Sequence, residues 1–185
     1  HKKVIEHALS ISQNLIVVVG SSNASRSFKN PFSYEERKDV ISHLFPKEHQ
    51  YDGRLMVVGV PDSMYNDQEW IACVQKTVHE TILEHANRES PNSSIHGIND
   101  YRIGLIGHKK DSSTFYLDQF PQWEKIEVPR MGSFNASSIR ENYFTRAPIL
   151  PRDIVPGYVL EQMRVFMNTP EFVDLVTEHE TIRHY

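Results

Sequence analysis

The side chains of this chain best suited to chemistry lie in five polar stretches. In Asn135-Ala136-Ser137-Ser138-Ile139-Arg140, hydroxyls stand at a helix start and Arg140 emerges one turn later. Hydroxyl oxygens, free amides and a guanidinium on one helical face suit a polyphosphate. The same residues also make an ordinary serine cap with a solvated arginine. The stretch from Gly20 to Asn30 is rich in small residues around Ser21 and Ser22, and carries Arg26 and Lys29. Backbone amides could approach an anion there and the two cations could neutralise it. On composition alone, a solvated loop is the preferred reading. Asn30-Pro31-Phe32-Ser33-Tyr34-Glu35-Glu36-Arg37 sets Arg37 one turn inside a helix, as an anion clamp or as a surface ion pair with Glu35 or Glu36. Pro61 to Trp70 places Asn66 near the indole of Trp70. An amide and an aromatic plane can hydrogen-bond and stack on a flat heterocycle, whereas an unaided Trp70 is more often core. Gly107-His108-Lys109-Lys110-Asp111 joins a glycine turn to cations and a carboxylate, as a nucleotide contact or as a helix start with solvated lysines.

Other chemistries fail on spacing. The ten histidines contain no H-E-x-x-H pair, and one cysteine, Cys73, cannot build a structural zinc site. There is no G-x-x-x-x-G-K-[ST] loop, no G-x-S-x-G elbow and no glycine fingerprint for a dinucleotide. Kinase, serine hydrolase, zinc enzyme and dehydrogenase readings therefore lose their first support.

The elements that must position these stretches follow from periodicity. Residues 2–12 predict a helix with Val4, Ile5, Ala8, Leu9 and Ile11 along one stripe. The β-branched run ending at Val19 predicts a strand apolar on both faces, as a buried parallel strand requires. Ser33 and Glu36 have capping-box spacing for a helix buried through Val40, Ile41, Leu44 and Phe45. Residues 55–60, 102–107 and 123–128 predict three more strands; 67–87, 112–120 and 136–144 predict helices. Strands alternating with helices predict an α/β fold with a doubly wound parallel sheet, its ligand beyond the carboxyl ends of the strands. Every polar stretch above falls at such an end. The tail, 153–167 and 170–184, is helical, with Thr169 and Pro170 as cap and first-turn residue. Residues 1–150 are thus expected to form one domain and 151–185 its C-terminal helices or a linker. A sheet of this kind normally begins with a strand, so either that strand lies upstream of His1 or the fold starts unusually.

Composition sets the outer limits. The chain has 185 residues, 39% of them hydrophobic and 24% charged, enough for one core without a disulfide staple. No apolar run approaches the roughly 20 residues of a membrane span, and no export signal is visible. A single cysteine favours a reducing compartment, so a cytoplasmic location with no membrane partner is expected. A net charge of −4 argues against a nucleic-acid partner. A homo-oligomer is neither required nor excluded.

Taken in order, the clusters resemble the nicotinamide mononucleotide adenylyltransferases of the archaeal type. The Ser21-Ser22 to Arg37 segment is similar to their loop and Asn-Pro-Phe-(Ser/Thr)-x-x-Glu-Arg motif, and Asn66 to Trp70 and Gly107 to Asp111 match further segments. Asn135 to Arg140 resembles the Ser-x-(Ser/Thr)-x-x-Arg signature of the wider nucleotidylyltransferase superfamily, with Asn135 where many members have serine. Gly107 to Trp123 looks closest to bacterial bifunctional members that carry a Nudix hydrolase domain, of which no Nudix box appears here. The superfamily's G-x-F-x-P-x-H-x-G-H motif is represented only by His1, as its final histidine. The resemblance implies a Rossmann-like fold and transfer of an adenylyl group from ATP to nicotinamide mononucleotide, with magnesium accompanying the triphosphate and no residue assigned as a metal ligand. It also implies that these residues alone, lacking the first histidine and first strand, are impaired. By that resemblance His1 contacts a phosphate oxygen, and Ser137 with Arg140 holds the leaving pyrophosphate. Gly107, His108 and Asp111 line the adenosine end. Ser21, Ser22, Asn66 and Trp70 face the mononucleotide, and Arg37 is a second phosphate clamp. The alternatives are another acceptor, such as nicotinate mononucleotide or phosphopantetheine, and a non-catalytic nucleotide sensor.

Overall fold

The computed structural model describes residues 1–45, 53–90, 97–107, 117–129, 136–146 and 155–183. They fall into two compact units: His1–Ser22 with Pro46–Gly132, and Asn23–Phe45 with Ser133–Tyr185.

The first unit holds the strands. Helix α1 (Lys2–Ile11) precedes strand β1 (Leu15–Val19), and β2 (Leu55–Gly59) runs parallel to β1 with Leu15 opposite Leu55 and Val19 opposite Gly59. Of the stripe expected on α1, Ala8 and Leu9 are buried, but Ile11 in the last turn is exposed. The long helix α3 (Asp67–Glu89) buries Ile71, Val74 and Val78. Strands β3 (Gly104–Gly107) and β4 (Glu124–Glu127) form a second parallel pair. Gly104 allows this pair its close approach, since a Cβ there would meet Ile126 Cδ1 at 2.8 Å. The strands expected at 102–107 and 123–128 are therefore shorter. Trp123 leaves the ladder to stack on Phe120, ring centroids 4.8 Å apart, and both rings are buried.

One continuous sheet was expected; among the described residues the ladders are two separate pairs, β1–β2 and β3–β4. Side-chain burial unites them instead. Ile16 from β1, Leu105 from β3 and Ile103 just before β3 all pack on the cluster of Val60, Ile71, Val74, Val78, Phe120 and Trp123. Of the helix expected at 112–120, residues 117–119 form one 3-10 turn and 112–116 lie outside the described residues.

The second unit is helical. It contains α2 (Tyr34–His43), α4 (Ala136–Phe144), α5 (Gly157–Phe166) and α6 (Pro170–Arg183). Its core joins Tyr143, Phe144, Leu160, Met163, Phe166, Phe172 and Leu175, with Phe28 and Phe32 packed against it. The tail helices α5 and α6 thus share a core with residues from the middle of the chain. Ser33 closes the expected capping box: its hydroxyl accepts from Glu36 N, and the Glu36 carboxylate accepts from Ser33 N at 2.8 Å. The expected burial of α2 is only partial. None of its own residues is buried, and Phe45 beyond its end supplies the anchor. Thr169 caps α6, its hydroxyl accepting from Phe172 N at 3.3 Å. Tyr143 donates to Met163 O at 2.7 Å, and burial holds its phenol far above the ordinary tyrosine range. Among the described residues no helix is long and apolar enough to cross a membrane.

Candidate active site

In the first unit the chain segments leaving β1 and β2 are stitched together. Val60 N donates to Val19 O at 3.0 Å, and Ser22 N donates to Val60 O at 3.1 Å. Ser21 sits in left-handed backbone, φ 52°, an unusual conformation for a residue with a Cβ. Its N–H donates to the Asp62 carboxylate at 3.2 Å, which ties the loop after β1 to the loop after β2. The structure therefore brings Ser21 and Ser22 to the carboxyl ends of a parallel strand pair, where α/β proteins bind ligands. Gly107 ends β3 at the same polarity, is buried, and accepts from Val128 N at 3.0 Å. His108 and Asp111 lie outside the described residues, as does Asn135.

Asn66 begins α3. Its side-chain oxygen accepts from Glu69 N at 3.1 Å and its amide nitrogen lies 3.3 Å from the Glu69 carboxylate, so it serves as a helix cap. Trp70, one turn later, is half-buried and packs edge-on to Phe120 with centroids 6.0 Å apart. Its indole is thus both a core contact and a partly accessible plane. Tyr65, between Pro61 and Asn66, was not anticipated. It has φ 59° and is 100% exposed, and no spacing pattern in the sequence marks a single strained tyrosine. His1 is the exposed residue before α1 and its side chain makes no cap.

In the second unit, Ser137 and Arg140 lie in the first turns of α4. Arg140 Nη2 is 3.3 Å from Ser137 Oγ. Both line a pocket of about 250 Å³ together with Phe28, Lys29, Glu141 and His179. Ammonium, guanidinium and hydroxyl groups at a helix N-terminus form the donor set an extended phosphate needs. These cations and hydroxyls fit a metal carried in by the phosphates better than one caged by protein carboxylates. The loop cation Lys29 is placed here, its Nζ 5.8 Å from the Phe28 ring.

Arg26 is corrected. It does not stand ready for an anion: its guanidinium grips the Glu36 carboxylate in a two-point pair and also donates to Pro31 O at 2.8 Å. The hydrogen bond from Arg26 holds the Glu36 carboxyl below the ordinary value, and the same bond raises the guanidinium pKa. Glu36, one of the two carboxylates considered for Arg37, is thus a partner of Arg26, and Arg37 Nε lies 3.3 Å from Ser33 O, back along α2.

His179 was missed. Phe172, Leu175, Val176 and His179 fall at the spacing of one helical face, so a histidine in an apolar stripe was the available signal. Only tertiary contact shows its partner, Glu141, at 2.7 Å from Nε2.

Comparison with known proteins places these features in context. A cytidylyltransferase-like family model matches residues 1–94. The nicotinamide/nicotinic acid mononucleotide adenylyltransferase of Acinetobacter baylyi is 34% identical over 145 residues, 78% of this chain and 68% of that protein. A nicotinamide-nucleotide adenylyltransferase of Pyrococcus horikoshii is 31% identical over 42% of this chain and 41% of its own. Among solved structures, the whole chain is similar to a bifunctional NMN adenylyltransferase/ADP ribose pyrophosphatase from Francisella tularensis, with a TM-score of 0.78 and 27% identity. A second crystal structure of such a protein from that organism, complexed with AMP and a manganese ion, matches with a TM-score of 0.72 and 25% identity. The chain spans 50% of the length of each of these two solved structures.

Proposed function

The chain belongs to the cytidylyltransferase-like family, and from that premise we propose that it transfers an adenylyl group from ATP to nicotinamide mononucleotide, forming NAD and pyrophosphate. The observation that carries the reading is the pocket where Ser137 and Arg140 open α4 beside Lys29. The names of the relatives support the acceptor, and the resemblance of Ser21, Ser22 and the Asn66–Trp70 segment to the archaeal-type transferases supports setting these residues beside the mononucleotide.

In this reaction an oxygen of the mononucleotide's 5′-phosphate attacks the α-phosphorus of ATP in line, and the bond to the β-phosphate oxygen breaks. The pair of electrons leaves with pyrophosphate, so no protein nucleophile is needed. What the protein supplies is position and charge. Arg140 and Ser137 hold the leaving pyrophosphate, and charge building on it strengthens their hydrogen bonds in the transition state. His1 contacts a phosphate oxygen, and Arg37 is the second phosphate clamp. Gly107, His108 and Asp111 line the adenosine end. Trp70 stacks near the pyridine ring with Asn66, Ser21 and Ser22 beside the mononucleotide. A divalent cation, magnesium in this reading, supplies further neutralisation of the triphosphate, and the manganese-bound relative supports that class of metal. We read residues 1–150 as the transferase and 151–185 as its closing helices leading toward a linker. The lone Cys73 supports a cytoplasmic setting.

The test is pyrophosphate release by the full-length protein with ATP, magnesium and nicotinamide mononucleotide, the product identified as NAD, with nicotinate mononucleotide in parallel. Release with the amide supports the assignment, and the ratio of the two rates sets the preferred base. A folded protein that binds ATP yet releases nothing with either acceptor overturns it in favour of another acceptor or a nucleotide sensor.

A further inference from the structure

The strongest feature outside the residues already given roles is the contact between α4 and α6 at His179. This side chain is 3% exposed, and its ring lies between Phe28 at 5.7 Å and Phe144 at 5.8 Å. Its Nε2 is 2.7 Å from the Glu141 carboxylate, which is half exposed and lines the pocket next to Arg140. The neighbouring Glu178 accepts from Phe28 N at 3.1 Å, so α6 holds the 28–29 segment by a second bond.

Glu141 poses a problem for an anion-binding pocket. A carboxylate beside Arg140 and Lys29 repels phosphate and competes for the same cations. One of its oxygens is drawn onto α6 by His179, and the two flanking rings fix the imidazole that does so. We propose that His179 is a positioning residue for the phosphate grip: by holding Glu141 on α6 it keeps the Arg140–Ser137 end of α4 available to the polyphosphate. This rests on the reading of Ser137 and Arg140 as phosphate ligands. A role confined to stability would lower the melting temperature without a charge-dependent effect on binding.

The probe is inorganic pyrophosphate, measured by titration calorimetry on the full-length protein, with thermal melts of every variant. His179→Leu releases the carboxylate and is expected to weaken pyrophosphate binding about tenfold, the scale of one hydrogen bond to a charged group. It should raise the KM for ATP more than it lowers kcat. His179→Gln retains a donor and is expected to bind within about twofold of the parent. The decisive variant is Glu141→Gln added to His179→Leu: with the charge gone, binding returns to the parent value although the apolar substitution remains. If His179→Leu does not fold, His179→Gln and Glu141→Gln carry the test, and a tenfold loss in either overturns the proposal. Unchanged binding in folded His179→Leu, or no recovery in the double variant, also overturns it. Arg140→Ala separates the two levels. If it too leaves pyrophosphate binding unchanged, the phosphate site itself is misassigned. If it weakens binding while His179→Leu does not, only the role of His179 fails.

Discussion

Arg140 has the plainest chemistry of any residue here: a charge at the start of α4, beside a serine hydroxyl, in a pocket open to solvent. Removing a donor that acts mainly on developing charge typically costs 10²–10³ in rate. Arg140→Ala should therefore lower kcat/KM by about that factor, with the melting temperature within a few degrees of the parent. Trp70 behaves differently because its ring serves two purposes. Trp70→Ala should raise the KM for the mononucleotide with a smaller change in kcat, and should also destabilise the first unit by about 1–3 kcal/mol through lost packing on Phe120. Trp70→Phe should recover much of the stability. The Arg26–Glu36 pair adds a pH dependence. The Glu36 carboxyl is held below its ordinary value of 4.5, so its contribution is complete above that pH and is lost as pH falls through the lower folded value. In melts from pH 7 to pH 3, the parent's advantage over Glu36→Gln should shrink on the acid side. Pairing of Glu36 with Arg26 was not legible in the sequence, because the partners lie ten residues apart and a loop brings them together.

At the scale of elements, the capping box is the clearest case of a local rule surviving into the fold. Ser33→Ala removes the acceptor for Glu36 N and should cost about 1 kcal/mol, a fall of roughly 2–4 °C in the melting temperature. β1 and β2 were legible through their runs of branched apolar residues, and both pairs are parallel as expected. The strand ends were less so: β3 and β4 start later than expected, with Arg102 before β3 pairing its guanidinium with the Glu124 carboxylate and Trp123 before β4 stacking on Phe120. Gly53 shows a constraint invisible to periodicity. Its φ of 67° suits glycine, and a Cβ would lie 3.0 Å from the His85 ring. Gly53→Ala should destabilise the protein through both strain and contact, read as a lower denaturant midpoint.

For the molecule as a whole, the reaction proposed above uses a divalent cation that travels with the triphosphate. Chelating divalent metal should stop pyrophosphate release while leaving the melting temperature unchanged, because the folded cores described here are built from apolar side chains. The sequence alone determined the α/β class, the polar turns after its strands, the helical tail and, through ordered motifs, the family. These are properties of neighbouring residues, set by side-chain period, turn chemistry and hydroxyls spaced one helical turn from a cation. Tertiary structure decided which of those residues share a unit. It put 23–45, read along the chain as a strand connection, into one core with the C-terminal helices. It bound Arg26 to Glu36 and set Lys29 by Arg140. It also brought His179 to Glu141 across 38 residues of chain. Such pairings depend on how apolar faces pack, and the period of a helix tells which face is buried but not what covers it.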